Sequence, residues 1–562
     1  MFWGGTPPTR EPVVVLPFEV RGSNPGLEDV GVQTADRIAA ALEAANVGHV
    51  VAFRSDGDGE PFTKRSLRRM VAKTGARTLV TGVIARRGDG LEVQARVVRG
   101  SDLGIVWTLP PERGSASDPT APLDAIRERV VGAIAWYLSP WLGMDAWNTE
   151  ILQPATSLEA VRLANKASEL SGANRTLDAI PLLREAFARD TTWLAAVLYL
   201  SSDYGNLGWW QQRDSVLAFL EARRERLHPG DALWLDQKQA SLSSPEEQLK
   251  AARAYFSAEP RKGYYVMVAA LLARRPTEAL NYYPEWRASQ ARRDTADAWG
   301  RSWQLTDVIA AQAYHMMGRF DEELVVARAA KAYEPRYFGH WAREVSALAA
   351  LGRTGEVERI ITESHGLETQ GAPVRLLYTA ATELALHGRV QEARGYAART
   401  LTGLAQWPDS PSSLAAFRAG SSAAMATGRM QQDALRILGR HDEVVRISDE
   451  LSRRAGALGL GWRLLGIRSR VLLGDTVGAL PLADSAGTQP LAAFGNMGWN
   501  VKGAPIYYGA QTLALLGRQE AAVAMLREAL NNGWRLGPDE PLQWYWEPIK
   551  DYPPFQELVR IR

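Results

Sequence analysis

Any chemistry in this chain of 562 residues rests on 63 carboxylates, seven histidines and 65 basic side chains, because cysteine is absent. The missing thiols exclude disulfides, thiolate metal sites, iron–sulfur clusters and cysteine nucleophiles. The histidines, at positions 49, 228, 315, 340, 365, 387 and 441, form no HExxH motif. A metal site would need long-range assembly, so each histidine is read as a structural or surface residue. There is no GxSxG nucleophile elbow, no GxGxxG fingerprint and no Gly-Lys pair for a P-loop, and the kinase signatures HRD and DFG are missing. Asp56-Gly57-Asp58-Gly59-Glu60 begins like a calcium loop, but Pro61 and Leu67 stand where that loop needs Gly and a bidentate Glu, so the stretch is read as a turn. Pairs of acidic residues suited to glycoside hydrolysis can be drawn at will from 63 carboxylates and none is singled out. The expectation is a protein without catalytic residues, cofactor or metal.

The formal charge of +2 gives no reason to expect a nucleic-acid partner. The most basic run, Lys64 to Lys73, places Leu67, Met70 and Val71 on one helical face, which leaves Arg65, Arg68 and Arg69 on a solvated one. Nineteen tryptophans are the unusual number. Trp209, Trp210, Trp286, Trp303 and Trp341 are candidate anchors for a peptide or glycan, against the alternative that they pack between helices. Trp544-Tyr545-Trp546-Glu547-Pro548, followed by Tyr552-Pro553-Pro554-Phe555, is expected to cap an exposed end.

Two kinds of element position these residues. After a tail at 1–12, residues 13–145 carry β signals: Val13 to Phe18, then a helix through Ile38 and Leu42, then His49 to Phe53. A second helix spans Leu67 to Val71, and the Gly88-Asp89-Gly90 turn joins two longer strands, Thr78 to Ile84 and Leu91 to Val98. Ile105-Val106-Trp107, a polar linker at 110–122 and a helix over 123–138 complete a mixed α/β domain. From 146 to 562 the pattern is helical, and turn glycines recur at Gly318, Gly352, Gly388, Gly439, Gly474 and Gly517. The intervals are 34, 36, 51, 35 and 43, with insertions near 402–415 and 485–505 taking up the two large excesses. A 34-residue helix–turn–helix period is the tetratricopeptide signature, and about nine to eleven such units are expected. Small residues such as Ala311, Ala327, Ala381, Ala393, Ala510 and Ala522 fall where paired helices need to approach closely. Glu323 stands where alanine is usual and Thr191 where proline is usual.

The run VVVLPF, the helix after it, TLVTGVIARRGDGLEVQARVV and the closing Gly104 and Trp107 resemble the TolB-type (FlgO-like) amino-terminal domain. With repeats behind it, the chain resembles the extracytoplasmic part of bacterial membrane-anchored signalling regulators. That resemblance implies a fold rather than a reaction. It also implies a place on the periplasmic side of the inner membrane if an anchor precedes Phe2-Trp3-Gly4-Gly5. No window holds the roughly 18 apolar residues of a membrane span, and the first residues lack signal-peptide features. The fold class expected is α+β: a small α/β domain followed by a large all-α tetratricopeptide-type solenoid. The function expected is a non-enzymatic scaffold or sensor module binding a protein or peptide on the concave face of the repeats. The alternative is an enzyme or small-ligand sensor with a carboxylate and aromatic site in the solenoid or its insertions.

Overall fold

The computed structural model describes residues 12–562 except 22–28, 52–62, 139–152, 173–174, 208, 259–262, 292–299, 368, 370, 407–421, 456–459 and 486–501. The calcium-like stretch, the segment Phe2 to Gly5 and most of both expected insertions lie outside the described residues. The chain forms two compact units: one of Met1–Asp203 with Arg213–Leu235, the other of Tyr204–Gln212, Asp236–Arg293 and Gly300–Arg562.

The first unit opens on a seven-stranded sheet. Its strands are β1 (Pro12–Val15), β2 (Glu19–Arg21), β3 (His49–Val50), β4 (Thr78–Arg87), β5 (Gly90–Arg99), β6 (Ile105–Thr108) and β7 (Glu112–Ser115). β1 runs parallel to β3 and β4, β2 continues parallel along β4, and β5 is antiparallel to β4, β6 and β7. The β4–β5 register follows the expected hairpin, with Arg87 opposite Gly90 and Gly82 opposite Ala95. Gly82 is needed because the Phe18 ring lies where its Cβ would be, 2.1 Å away. The helices are α1 (Val30–Ala44), α2 (Lys64–Thr74) and α3 (Thr120–Tyr137). α2 turns Leu67, Met70 and Val71 onto Val14, Leu16, Leu79 and Val98, while α3 packs on α1 and β5. The segment read as a linker holds a strand: β7 pairs with β5, and Arg113 reaches Glu92 across it at 2.8 Å. Its polar composition hid it, since an edge strand with two solvated positions carries no apolar alternation.

Helices account for the rest, and the whole chain is α+β. In sequence they are α4 (Leu158–Gly172), α5 (Thr176–Arg189), α6 (Ala195–Asn206), α7 (Trp210–Glu221), α8 (Pro229–Ala240), α9 (Pro245–Ala258), α10 (Gly263–Leu272) and α11 (Pro276–Ala291). They continue as α12 (Gly300–Met316), α13 (Phe320–Tyr333), α14 (Phe338–Ala350), α15 (Thr354–Glu363), α16 (Ala372–Leu386) and α17 (Val390–Ala405). The last are α18 (Ser422–Ile437), α19 (His441–Ala455), α20 (Leu460–Leu472), α21 (Thr476–Ser485), α22 (Gly503–Leu515), α23 (Gln519–Asn531) and the short α24 (Pro553–Val559). Among the described residues α4 packs on α5, α10 on α11, α12 on α13, α14 on α15, α16 on α17 and α22 on α23 as successive pairs.

All six repeat glycines have positive φ, from +69° to +87°. Each ends a first helix in the same way, the next amide bonding back five residues: Arg319 N to Tyr314 O at 2.9 Å, Arg353 N to Leu348 O at 2.8 Å, Arg389 N to Leu384 O at 2.8 Å. This closes the orphan carbonyls of the helix end and fixes the reversal. Fully buried Ala381 and Ala393 let α16 and α17 pack closely, and Ala510 and Ala522 do so for α22 and α23. First helices also pack on first helices, α10 on α12, α12 on α14 and α14 on α16, so they form one continuous face.

Candidate functional site

The segment after α23 does more than end the chain. Beyond Gly533 it makes two short 3-10 turns, Glu540–Leu542 and Trp544–Ile549, before α24. Trp534 stacks on Tyr507 of α22, with ring centroids 4.4 Å apart. Trp546 is fully buried and donates its indole N–H to Glu540 Oε1 at 2.7 Å. Tyr507 donates its hydroxyl to the same carboxylate, and Tyr545 lies 2.9 Å from that hydroxyl. Burial pushes the Glu540 carboxyl above its ordinary range, against the pull of these donors. Tyr545, Trp546, Ile549 and Phe555 thus join the apolar core of the last pairs, as a cap would.

The same segment also reaches helices far earlier in the second unit. Gly537 O accepts from the Arg274 guanidinium at 3.0 Å, and the Arg562 amide donates to Arg274 O at 2.8 Å. Arg535 donates to Gln248 Oε1 at 2.9 Å and to Ser241 O at 3.3 Å. Asp539 Oδ1 lies 2.9 Å from His315 Nε2 on α12, and the Arg468 guanidinium of α20 lies 5.0 Å from the Tyr545 ring. A strap of some twenty residues therefore lies along α9, the end of α10, α12, α20 and α22, mostly first helices of their pairs.

Under the strap a polar cluster is closed off from solvent. His315 Nδ1 meets Glu323 Oε2 at 2.5 Å, His315 Nε2 lies 3.0 Å from Glu383 Oε1, and His387 Nε2 lies 3.3 Å from that oxygen. Ser346 Oγ donates to Glu383 Oε2 at 2.9 Å, and Arg343 stands 3.5 Å from Glu323. Burial alone would lower the His315 pKa, but the carboxylates of Asp539, Glu323 and Glu383 around the ring outweigh it and push the group up to about 12. Burial pushes Glu323 up. Glu383 is opposed by burial too, yet the two imidazoles hold it well below the usual carboxylate range. Nearby, Arg436 and Arg429 of α18 and Arg468 of α20 keep the Asp433 carboxyl low in spite of its own desolvation, and Asp433 accepts the Tyr378 hydroxyl at 2.9 Å.

Of the five candidate tryptophans, three have described side chains. Trp210 is 7% and Trp341 8% exposed, and the Trp341 indole donates to Pro335 O at 2.8 Å beneath Lys331. Trp209 is half-buried and stacks on Tyr204. Trp286 and Trp303 sit on α11 and α12, with side chains outside the described residues. In the first unit a cleft of about 630 Å³ is bordered by Trp107, Arg129, Gln153, Thr156, Thr192 and His228, with no carboxylate in its lining. Lys64, Arg65, Arg68, Arg69 and Lys73 are exposed on α2.

Sequence reasoning passed over His315 and His387 because they are 72 residues apart. Both sit just before a repeat glycine, three and one positions ahead of Gly318 and Gly388, so two repeats of period bring them to the same edge. The available signal was Glu323: a charged residue in a small-residue position must find a partner when buried.

No family model matches the chain and no curated protein matches it. Among solved structures, a Rap protein complexed with competence and sporulation factor is similar at 12% identity and TM-score 0.29, covering 60% of this chain and 97% of that one. The P58(IPK) TPR domain is similar at 12% identity and TM-score 0.17, covering 66% and 88%. Naa15/Naa10 bound to HypK-THB is similar at 13% identity and TM-score 0.16, covering 66% and 62%. At such values the repeat architecture rests on the helix pairs and glycine turns of this chain itself.

Proposed function

We propose that this chain is a non-enzymatic interaction scaffold whose first-helix face holds an extended segment of a protein partner. The observation that carries this reading is the strap itself: an aromatic and acidic stretch of loop and short 3-10 turns already lies on that face. Tyr507 receives Trp534, Arg274 and His315 stand by Asp539, and Arg468 stands by Tyr545. A partner segment of like chemistry would take the same place once the strap is displaced. Of the candidate tryptophans, half-buried Trp209 is the one we carry forward as an anchor. We read residues 13–145 as the TolB-type domain and 146–562 as the repeat domain, which would set the chain in bacterial signalling or envelope regulation. The order of strands and helices in the sheet supports the first part of that reading.

The test uses a fluorescent peptide of residues 534–552 and the full chain, as wild type and as the Trp534→Ala/Asp539→Asn double variant, both changes lying in the strap. With the strap loosened, anisotropy should show saturable binding at least about tenfold tighter than to wild type, because the competent face is more populated. A peptide that binds neither protein, or both equally, contradicts the reading.

A further inference from the structure

In the cluster beneath the strap the outer side of each key group is engaged and the inner side is not. His315 Nδ1 is held by Glu323, and Glu383 Oε2 by Ser346. What remains, His315 Nε2, Glu383 Oε1 and His387 Nε2, is shielded from solvent and makes no hydrogen bond of acceptable geometry. His315 is 3% and Glu383 5% exposed. One ligand atom from each of these three residues falls within 4.8 Å of the others. A buried polar atom left unpaired costs about 1–3 kcal/mol, so three that converge point to a shared partner.

The spacing admits a metal ion as that partner. Atoms bound to a first-row divalent ion at about 2.0–2.2 Å, with angles between about 90° and 109°, stand about 2.8–3.6 Å apart. His315 Nε2 to Glu383 Oε1 is 3.0 Å and His387 Nε2 to Glu383 Oε1 is 3.3 Å. We propose that His315, Glu383 and His387 bind one divalent transition-metal ion, zinc first among them.

Two imidazoles with one carboxylate suit zinc or its neighbours better than calcium or magnesium, which take oxygen sets. Glu323 on His315 Nδ1 is the outer-shell carboxylate that fixes the ring and its tautomer, with Arg343 behind it. Three protein ligands leave a fourth position open. His315 comes from α12, and Glu383 and His387 from α16 and its end, so the ion fastens these two first helices to each other.

The test is equilibrium dialysis of the chelator-stripped full chain against zinc, with bound metal counted by elemental analysis. The expected result is one tightly held equivalent per chain. His387→Ala and Glu383→Gln should each weaken it by more than the roughly 10–100-fold that an outer-shell change costs, with the circular dichroism spectrum unchanged. Exposed His365→Ala should leave it intact. No stoichiometric uptake by wild type, or uptake that neither ligand variant disturbs, overturns the site.

Discussion

At the turn between α10 and α11, Arg274 takes the place that glycine holds at the other six turns, with φ +59° and the same backward bond, Arg275 N to Ala270 O at 2.8 Å. A side chain in that region costs about 1–2 kcal/mol. The position keeps it because the guanidinium holds Gly537 O and the carbonyl receives the Arg562 amide. Arg274→Gly should therefore relieve the turn and lose the anchor. The expected outcome is a thermal midpoint shifted by no more than about 1 kcal/mol in stability, together with faster tryptic cleavage after Arg535. A large drop in midpoint would mean that Arg274 serves the turn itself. At this scale the repeat glycines and paired alanines were legible in the sequence, since each acts on its own neighbours. The partnership of His315 with Glu383 and Asp539 was not, because it depends on which repeats meet and where the chain end returns.

The strap is aromatic and proline-rich in composition, and its Tyr545 and Trp546 are buried in the apolar core of the last helices. Nothing local in the sequence pointed to Arg274, Gln248 or Ser241, which lie 263 to 294 residues away in the chain. Trp546→Ala should remove a fully buried ring and leave Glu540 with one donor fewer, at a cost of about 3–5 kcal/mol to the last helix pairs. Denaturant unfolding followed by tryptophan fluorescence checks this. A loss below about 1 kcal/mol would show that the strap packs loosely. The edge strand β7 illustrates the opposite failure: its ladder with β5 is regular, yet a Glu-Arg-Gly-Ser stretch next to two prolines reads as linker.

For the whole molecule, the change from period-two alternation before residue 110 to a 34-residue helical period afterwards was enough to read an α+β chain with a repeat array. The first-helix face of the second unit is covered by the chain's own strap, and it is this cover that we propose a partner segment replaces. Amide hydrogen exchange of the intact wild-type chain tests this most directly, read over residues 537–546. Slow exchange is expected there, comparable to α22, with marked acceleration when Arg274→Gly and Asp539→Asn are combined. Exchange in wild type as fast as in an unstructured peptide would contradict it.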